Sequence, residues 1–313
     1  MQRWSPSIEP ADNVLGRNRN GDPVSNPSDS AKPDADSASA AAVAKAGEPD
    51  RYLAALLSAP GQQEALLALA AFSTELSRIP LRTVHEPAMG EIRLQWWRDA
   101  LVFPPDLRIG HPVADAVRKA VRSHELPSDL IEGMIDGRSL LLHDTASFAG
   151  DVLSEVLWKT EGALFALGAH VVGLPASADV HASCVAAGQA YGLARLLLAL
   201  PAMLATGHVP LAKVQLDAAG LTGEELLAGV ADARIERLVG DCSAHVRRNL
   251  SDARAFSATL PRGTRVAFLP LALVEPYLRT LEGAGAALLR PETRIAPISR
   301  VCRIAAAHLF GRL

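Results

Sequence analysis

The chain has 313 residues, 49% of them apolar and only 4% aromatic, with a formal net charge of −3. That length and apolar content support a sizeable core, and the charge balance lacks the basic excess that a nucleic-acid partner requires. Ala and Leu dominate, which tilts the composition towards helix.

Residues 1–49 are rich in Ser, Pro, Asn, Asp and Ala and hold few large apolar residues. Such a segment buries too little surface to offset its ordering entropy, so disorder is expected there, with one folded domain over 50–313. The segment lacks the apolar h-region of a signal peptide, and Glu9, Asp12, Asp22 and Asp29 argue against a transit peptide. A cytoplasmic location is the expectation.

Leu53, Leu56 and Leu57 then recur at helical spacing up to Ala59-Pro60-Gly61. Leu66, Leu69, Ala70 and Leu76 carry a second helix, which Pro80 is expected to end. Ile92, Leu94, Trp96, Trp97 and Leu101 form a third, stopped by Pro104-Pro105. Periodicity predicts further helices over 112–124, 127–143, 150–172, 179–206, 222–258, 263–283 and 297–311. No window alternates with period 2. The fold class is therefore all-α, a single-domain bundle of about eight to ten helices. The longest apolar stretch, Val185 to Thr206, is broken by Arg195 and Pro201 and reads as a buried helix rather than a membrane span.

Signatures of chemistry are sparse. There is no Gly-rich phosphate loop, no H-E-x-x-H and no G-x-S-x-G. Nine histidines include no i, i+4 pair, so no metal site is expected from them. Cys184, Cys242 and Cys302 fit neither zinc spacing nor a disulfide framework and are expected to be buried thiols. The densest segment runs from Gly90 to Leu101 and holds two of the four tryptophans. One reading is a core helix with Trp anchors and Arg stems covering apolar surface. The other is an aromatic pocket wall with Arg93 or Arg98 facing an anion, beside Trp97. At the C-terminus, Arg294, Arg300, Arg303 and Arg312 accompany Ile298, Val301 and Leu309. Docking of that apolar face on the bundle is the favoured expectation; peripheral contact with an anionic inner-membrane surface is the other.

Several runs occur in the order of one family. Asp50-Arg51-Tyr52-Leu53, Ala70-Ala71-Phe72, Gly90 to Leu101, Leu130 to Met134, Ala187 to Leu193 and Gly207 to Leu211 together resemble the squalene/phytoene synthase family over about residues 50–290. The resemblance implies an isoprenoid-synthase-like bundle around a central cavity. Active members join two prenyl diphosphates head to head. Two facing helices each carry aspartates at D-x-x-x-D spacing, which places both carboxylates on one face, and Mg²⁺ bridges them to the diphosphates.

On this chain the first pair aligns with Ser77 and Leu81, and the second with Ala199 and Met203; the Asn and Arg that usually accompany the second pair align with Arg195 and Leu198. None of the four aspartate positions carries a carboxylate, and no Asp or Glu occurs from Val185 to Gln215. The acid nearest the first motif, Glu75, is out of register and next to Arg78. Ser77, Leu81, Arg195, Leu198, Ala199 and Met203 are expected to line the cavity, with Glu75, Arg78, Arg93, Trp97, Arg98 and Asp136 as further pocket residues.

The resemblance is nearest to the branch that includes respiratory complex I assembly factors. It implies a protein without catalytic residues, metal or cofactor, whose partner is a respiratory-complex subunit or an apolar isoprenoid or lipid. The alternative is a phytoene/squalene synthase-type prenyltransferase using Mg²⁺ through Glu75, Asp136 and Glu161.

Overall fold

A computed structural model describes residues 35–83, 86–102, 104, 107–143, 148, 151–285, 288 and 296–313. The part of the expected disordered segment before Ala35 lies outside the described residues. From Ala35 on, the order is α1 (Ala35–Gly47), α2 (Pro49–Ala55), α3 (Pro60–Arg82), α4 (Pro87–Val102), α5 (Pro112–His124) and α6 (Ser128–His143). Next come α7 (Val152–Leu157), a π-helical turn (Trp158–Gly162) and α8 (Ala163–Val171), followed by α9 (Ala178–Ala205), α10 (Lys213–Ala219), α11 (Gly223–Leu227) and α12 (Ala233–Thr259). Then α13 (Arg262–Arg265), a 3₁₀ stretch (Val266–Leu273), α14 (Val274–Ala284) and α15 (Pro297–Phe310) complete the bundle. Among the described residues the only extended pairing is one bridge between Phe148 and Ala212.

Four expectations need correction. Residues 35–47, read as disordered, form α1, which packs on α3 and α5 with Ala40 and Ala44 buried. A helix this rich in Ala needs no large side chains, because small ones let its backbone approach its neighbours; a Cβ on Gly47 would overlap Thr74. Helix α3 runs past Pro80 to Arg82. A proline in the last turn removes only one ladder bond, and Thr83 closes the end by donating both its N–H and its hydroxyl to the Ile79 carbonyl. The predicted 222–258 helix is two, separated where Gly229 takes φ 77°. Of the three thiols only Cys184 and Cys242 are buried; Cys302 is exposed.

Helix α9 is long and apolar enough to cross a membrane by length and composition alone, but most of it is enclosed by the other helices. It packs against α12, α8 and the π-turn. Its approach to the π-turn depends on paired glycines. A Cβ at Gly188 would lie 2.5 Å from the Gly162 backbone. This contact, with the π-turn's extra residue, turns Glu161 inward beside Arg195 of α9.

Candidate functional site

A cavity of about 210 Å³ lies between α3, α6, the π-turn, α9 and residues 208–210. It is larger than the ~150 Å³ engineered apolar cavities that admit benzene. Most of its wall is apolar, with Leu81, Leu141, Phe148, Leu157, Ala199 and Met203 among the lining residues. One part of the wall is ionic, made by Glu48, Arg138, Glu161 and Arg195.

The charges there are arranged in pairs. Arg195 Nη1 donates to both oxygens of Glu48 at 2.8 Å and lies 3.6 Å from Glu161. Arg51 Nη2 donates to Glu161 at 2.8 Å, and its Nε lies 3.5 Å from Glu48. The Arg51 guanidinium also sits over the Phe165 ring, 4.4 Å from the centroid. Behind this layer Asp50 accepts hydrogen bonds from Tyr191 at 2.8 Å and from Tyr277, and it pairs with Arg300 at 2.6 Å. Such interior charges persist because each has a partner.

Burial opposes ionisation of Glu161, but Arg195, Arg51 and Arg138 outweigh it and hold the carboxyl at a pKa of about 2. Burial moves Glu48 the other way, raising it against the pull of Arg195. Burial also lowers Arg138, partly offset by Glu161 and Glu48. Arg138 makes no hydrogen bond or close ion pair among the described residues while lining the cavity. It is the cavity cation left available to a polar group entering from outside.

The sequence candidates fall in four places. Ser77, Leu81, Arg195, Ala199 and Met203 line the cavity. Leu198 does not; it packs against the larger hydrophobic core, because the cavity face of α9 is centred on Gly192, Leu196, Ala199 and Met203 and Leu198 lies on the far side of Arg195 from it. Glu75, Arg78, Arg93 and Trp97 surround a separate hollow of about 300 Å³ with Trp96 and His111. There Glu75 pairs with Arg78 at 2.6 Å, and Trp97 packs edge-on to Phe72 and Trp96. Arg98 and Asp136 form a 2.8 Å pair in which Asp136 is half-exposed. Of the six residues expected to line the cavity, Leu198 is therefore the one corrected, and the six further pocket residues lie outside that cavity.

Sequence reading missed Glu48, which fell within the expected disorder, and Arg138. Asp50 and Arg51 were noticed only as part of a resemblance. The available signal was a run of two acids and an arginine, Glu48 to Arg51, opening a helix just after an Ala-rich stretch.

A family model described as squalene/phytoene synthase matches residues 44–301. The chain belongs to the squalene/phytoene synthase family. Among curated relatives, the mouse NADH dehydrogenase (ubiquinone) complex I, assembly factor 6 is 28% identical over 249 residues, covering 77% of this chain and 72% of that protein. The human assembly factor 6 is 26% identical over 247 residues, with the same coverage. Among solved structures, a dehydrosqualene synthase in complex with ligand superposes with a TM-score of 0.72 at 15% identity, over 88% of this chain and 96% of the other. The squalene synthase HpnC from Alicyclobacillus acidocaldarius gives 0.58 at 14% identity, over 81% and 91%. These structures share the all-α isoprenoid-synthase fold expected from the sequence.

The family implies Mg²⁺, and the residues present do not fit it. A hard divalent cation needs several unengaged oxygen ligands. Glu48 and Glu161, the acids of the cavity wall, are held by Arg195 and Arg51, and Arg138 adds a third guanidinium. Among the described residues no three His, Cys, Asp or Glu side chains are grouped to hold a metal ion. Glu75, Asp136 and Glu161 do not converge, since they occupy the second hollow, a half-exposed pair and the cavity respectively.

Proposed function

We propose that this protein is a non-catalytic member of its family that serves the assembly of respiratory complex I, using neither metal nor cofactor, and that its cavity holds an apolar isoprenoid or lipid chain. The observation that carries this reading is the engagement of both cavity carboxylates by arginines. A prenyl diphosphate synthase needs carboxylates for metal; here they neutralise guanidinium groups instead. The names of the curated relatives support the assembly role. The apolar wall supports the chain-binding role, with Arg138 placed to hydrogen-bond a polar end. The cytoplasm, next to the membrane that carries complex I, is the location consistent with both.

Deletion of the gene in its host tests the assembly role. Native gels stained for NADH dehydrogenase activity are expected to lose the fully assembled complex, with partial assemblies accumulating. Normal amounts of assembled complex in the deletion strain would sink it. The lipid role is tested separately, by extracting the purified protein with organic solvent and analysing the extract by mass spectrometry. An isoprenoid or acyl lipid in stoichiometric amount is expected. An empty extract, with no binding of added farnesol or fatty acid, would contradict it.

A further inference from the structure

Helix α15 is amphipathic, and its apolar stripe faces outward. Ile304 and Ala307 are buried against the bundle, contrary to the docking of Ile298, Val301 and Leu309 expected from sequence. Those three are exposed, Ile298 by 75% and Leu309 by 61%. With Cys302 and Ala305 they recur at i, i+3, i+4, i+7 and i+11, which is one face of a helix. Phe310, 76% exposed, stands at the edge of that stripe.

Cations flank the stripe on both sides, and α15 contains no acid. On one side a groove of about 480 Å³ between α15 and the α12 and α14 helices is lined by Arg254, Arg279, Arg303 and Arg312 as well as Phe310. Its one acid among the described residues, Glu275, is already paired with Arg247 at 3.1 Å and lies 3.7 Å from Arg279. Arg254 Nε is buried without a hydrogen-bond partner. On the other side Arg262 approaches His308 at 3.3 Å.

We propose that α15 and its arginine groove dock this protein on an anionic phospholipid surface, with headgroup phosphates in the groove and the Ile298–Leu309 stripe and Phe310 in the acyl boundary. A helix with an outward apolar stripe between two basic flanks suits the plane of a bilayer interface. Four groove guanidinium groups against one acid supply the charge complementarity, and Arg is suited to phosphate geometry. A protein partner would have to cover a stripe and a cation-lined groove at once, with acids matched to each arginine; a sheet of mobile anionic headgroups meets both without a fixed register. The inference is independent of the cavity and of what it holds.

Cys302 lies on the stripe and is exposed while Cys184 and Cys242 are buried, so an environment-sensitive fluorophore can be placed there selectively. The full chain so labelled is mixed with vesicles of phosphatidylcholine, with similar vesicles containing phosphatidylglycerol, and with inorganic phosphate alone. Co-sedimentation and a blue shift of the label are expected with the phosphatidylglycerol vesicles only. Arg303→Gln and Arg312→Gln should each weaken the binding by about fivefold, as expected for loss of one basic residue near an anionic surface. Phe310→Ser should weaken it as well, with helicity and melting temperature unchanged. Equal binding to neutral vesicles, binding without a change at Cys302, or no vesicle binding would each overturn the proposal. A label response to inorganic phosphate equal to that with vesicles would reduce the groove to a soluble-anion site and overturn it too.

Discussion

The molecule holds two arginine clusters that obey opposite rules. At the cavity, Arg51 and Arg195 are enclosed and bonded to Glu48 and Glu161. At the C-terminal groove, Arg254, Arg279, Arg303 and Arg312 share one acid that is already paired. An enclosed charge is tolerated only with a partner, because desolvation costs several kcal/mol per ion. A charge at the surface keeps its water and has no such need. The first cluster is thus closed upon itself and holds the bundle together, while the second is open to a ligand of opposite charge. Among the described residues, the closed cluster also engages both acids of the cavity wall with arginines.

Arg195→Met leaves Glu48 and Glu161 with an unmatched buried charge and should cost about 3–5 kcal/mol in urea unfolding. Adding Glu48→Leu should recover much of that loss, since an apolar replacement of a whole pair is often neutral. A single-variant loss below 1 kcal/mol would show the cluster to be solvated like the groove.

Gly188→Ala probes the packing that brings the π-turn to α9. The new methyl would meet the Gly162 backbone, which has no side chain to move aside. Overpacking of this kind costs typically 1–3 kcal/mol, read as a lower melting temperature. Gly240→Ala, on α12 with open space around the added atom, is the matched control and should not destabilise.

Acid titration separates the two cavity carboxylates by sign. Glu161 has a folded pKa of about 2 against an ordinary 4.5. Its contribution to stability is fully present above 4.5 and is lost as pH falls through 2. Glu48, raised by burial, works the other way: protonation favours the folded state as pH falls through its raised pKa towards 4.5. Glu161→Gln should therefore flatten the acid limb of the stability curve below 4.5. Arg312→Gln, in the open cluster, should leave that limb unchanged.

The smallest effects belong to the exposed pairs. Lys213→Ala breaks a 2.7 Å pair with Asp217 on the surface of α10, and should change stability by about 0.5 kcal/mol or less. Arg98→Ala, which removes the partner of half-exposed Asp136, should cost less than about 1 kcal/mol.

Helical periodicity made most of the bundle from α2 to α9 legible, because Leu and Ala recur on the core faces and Pro or Gly marks most ends. Arg195, Ala199 and Met203 were placed at the cavity by resemblance, and they line it. Glu48 was missed because a helix built on Ala40 and Ala44 has no large apolar residue for a burial argument to detect. Arg138 was missed because a single arginine in a helix carries no periodic signal. The outward face of α15 was misjudged because its two buried positions are Ile304 and Ala307, while larger side chains cover the opposite face. Which face is buried there depends on what the rest of the bundle presents, and the helix's own pattern holds no record of that.

Turnover decides whether the cavity supports prenyl diphosphate chemistry, which the proposed function excludes. Purified protein is incubated with farnesyl or geranylgeranyl diphosphate and Mg²⁺, with and without a reducing nicotinamide cofactor, and released pyrophosphate and apolar products are quantified. No pyrophosphate above the protein-free control and no head-to-head product are expected. Product formation that disappears in Glu161→Gln would overturn the non-catalytic reading, since it would make a carboxylate paired with Arg51 and Arg195 a participant in catalysis.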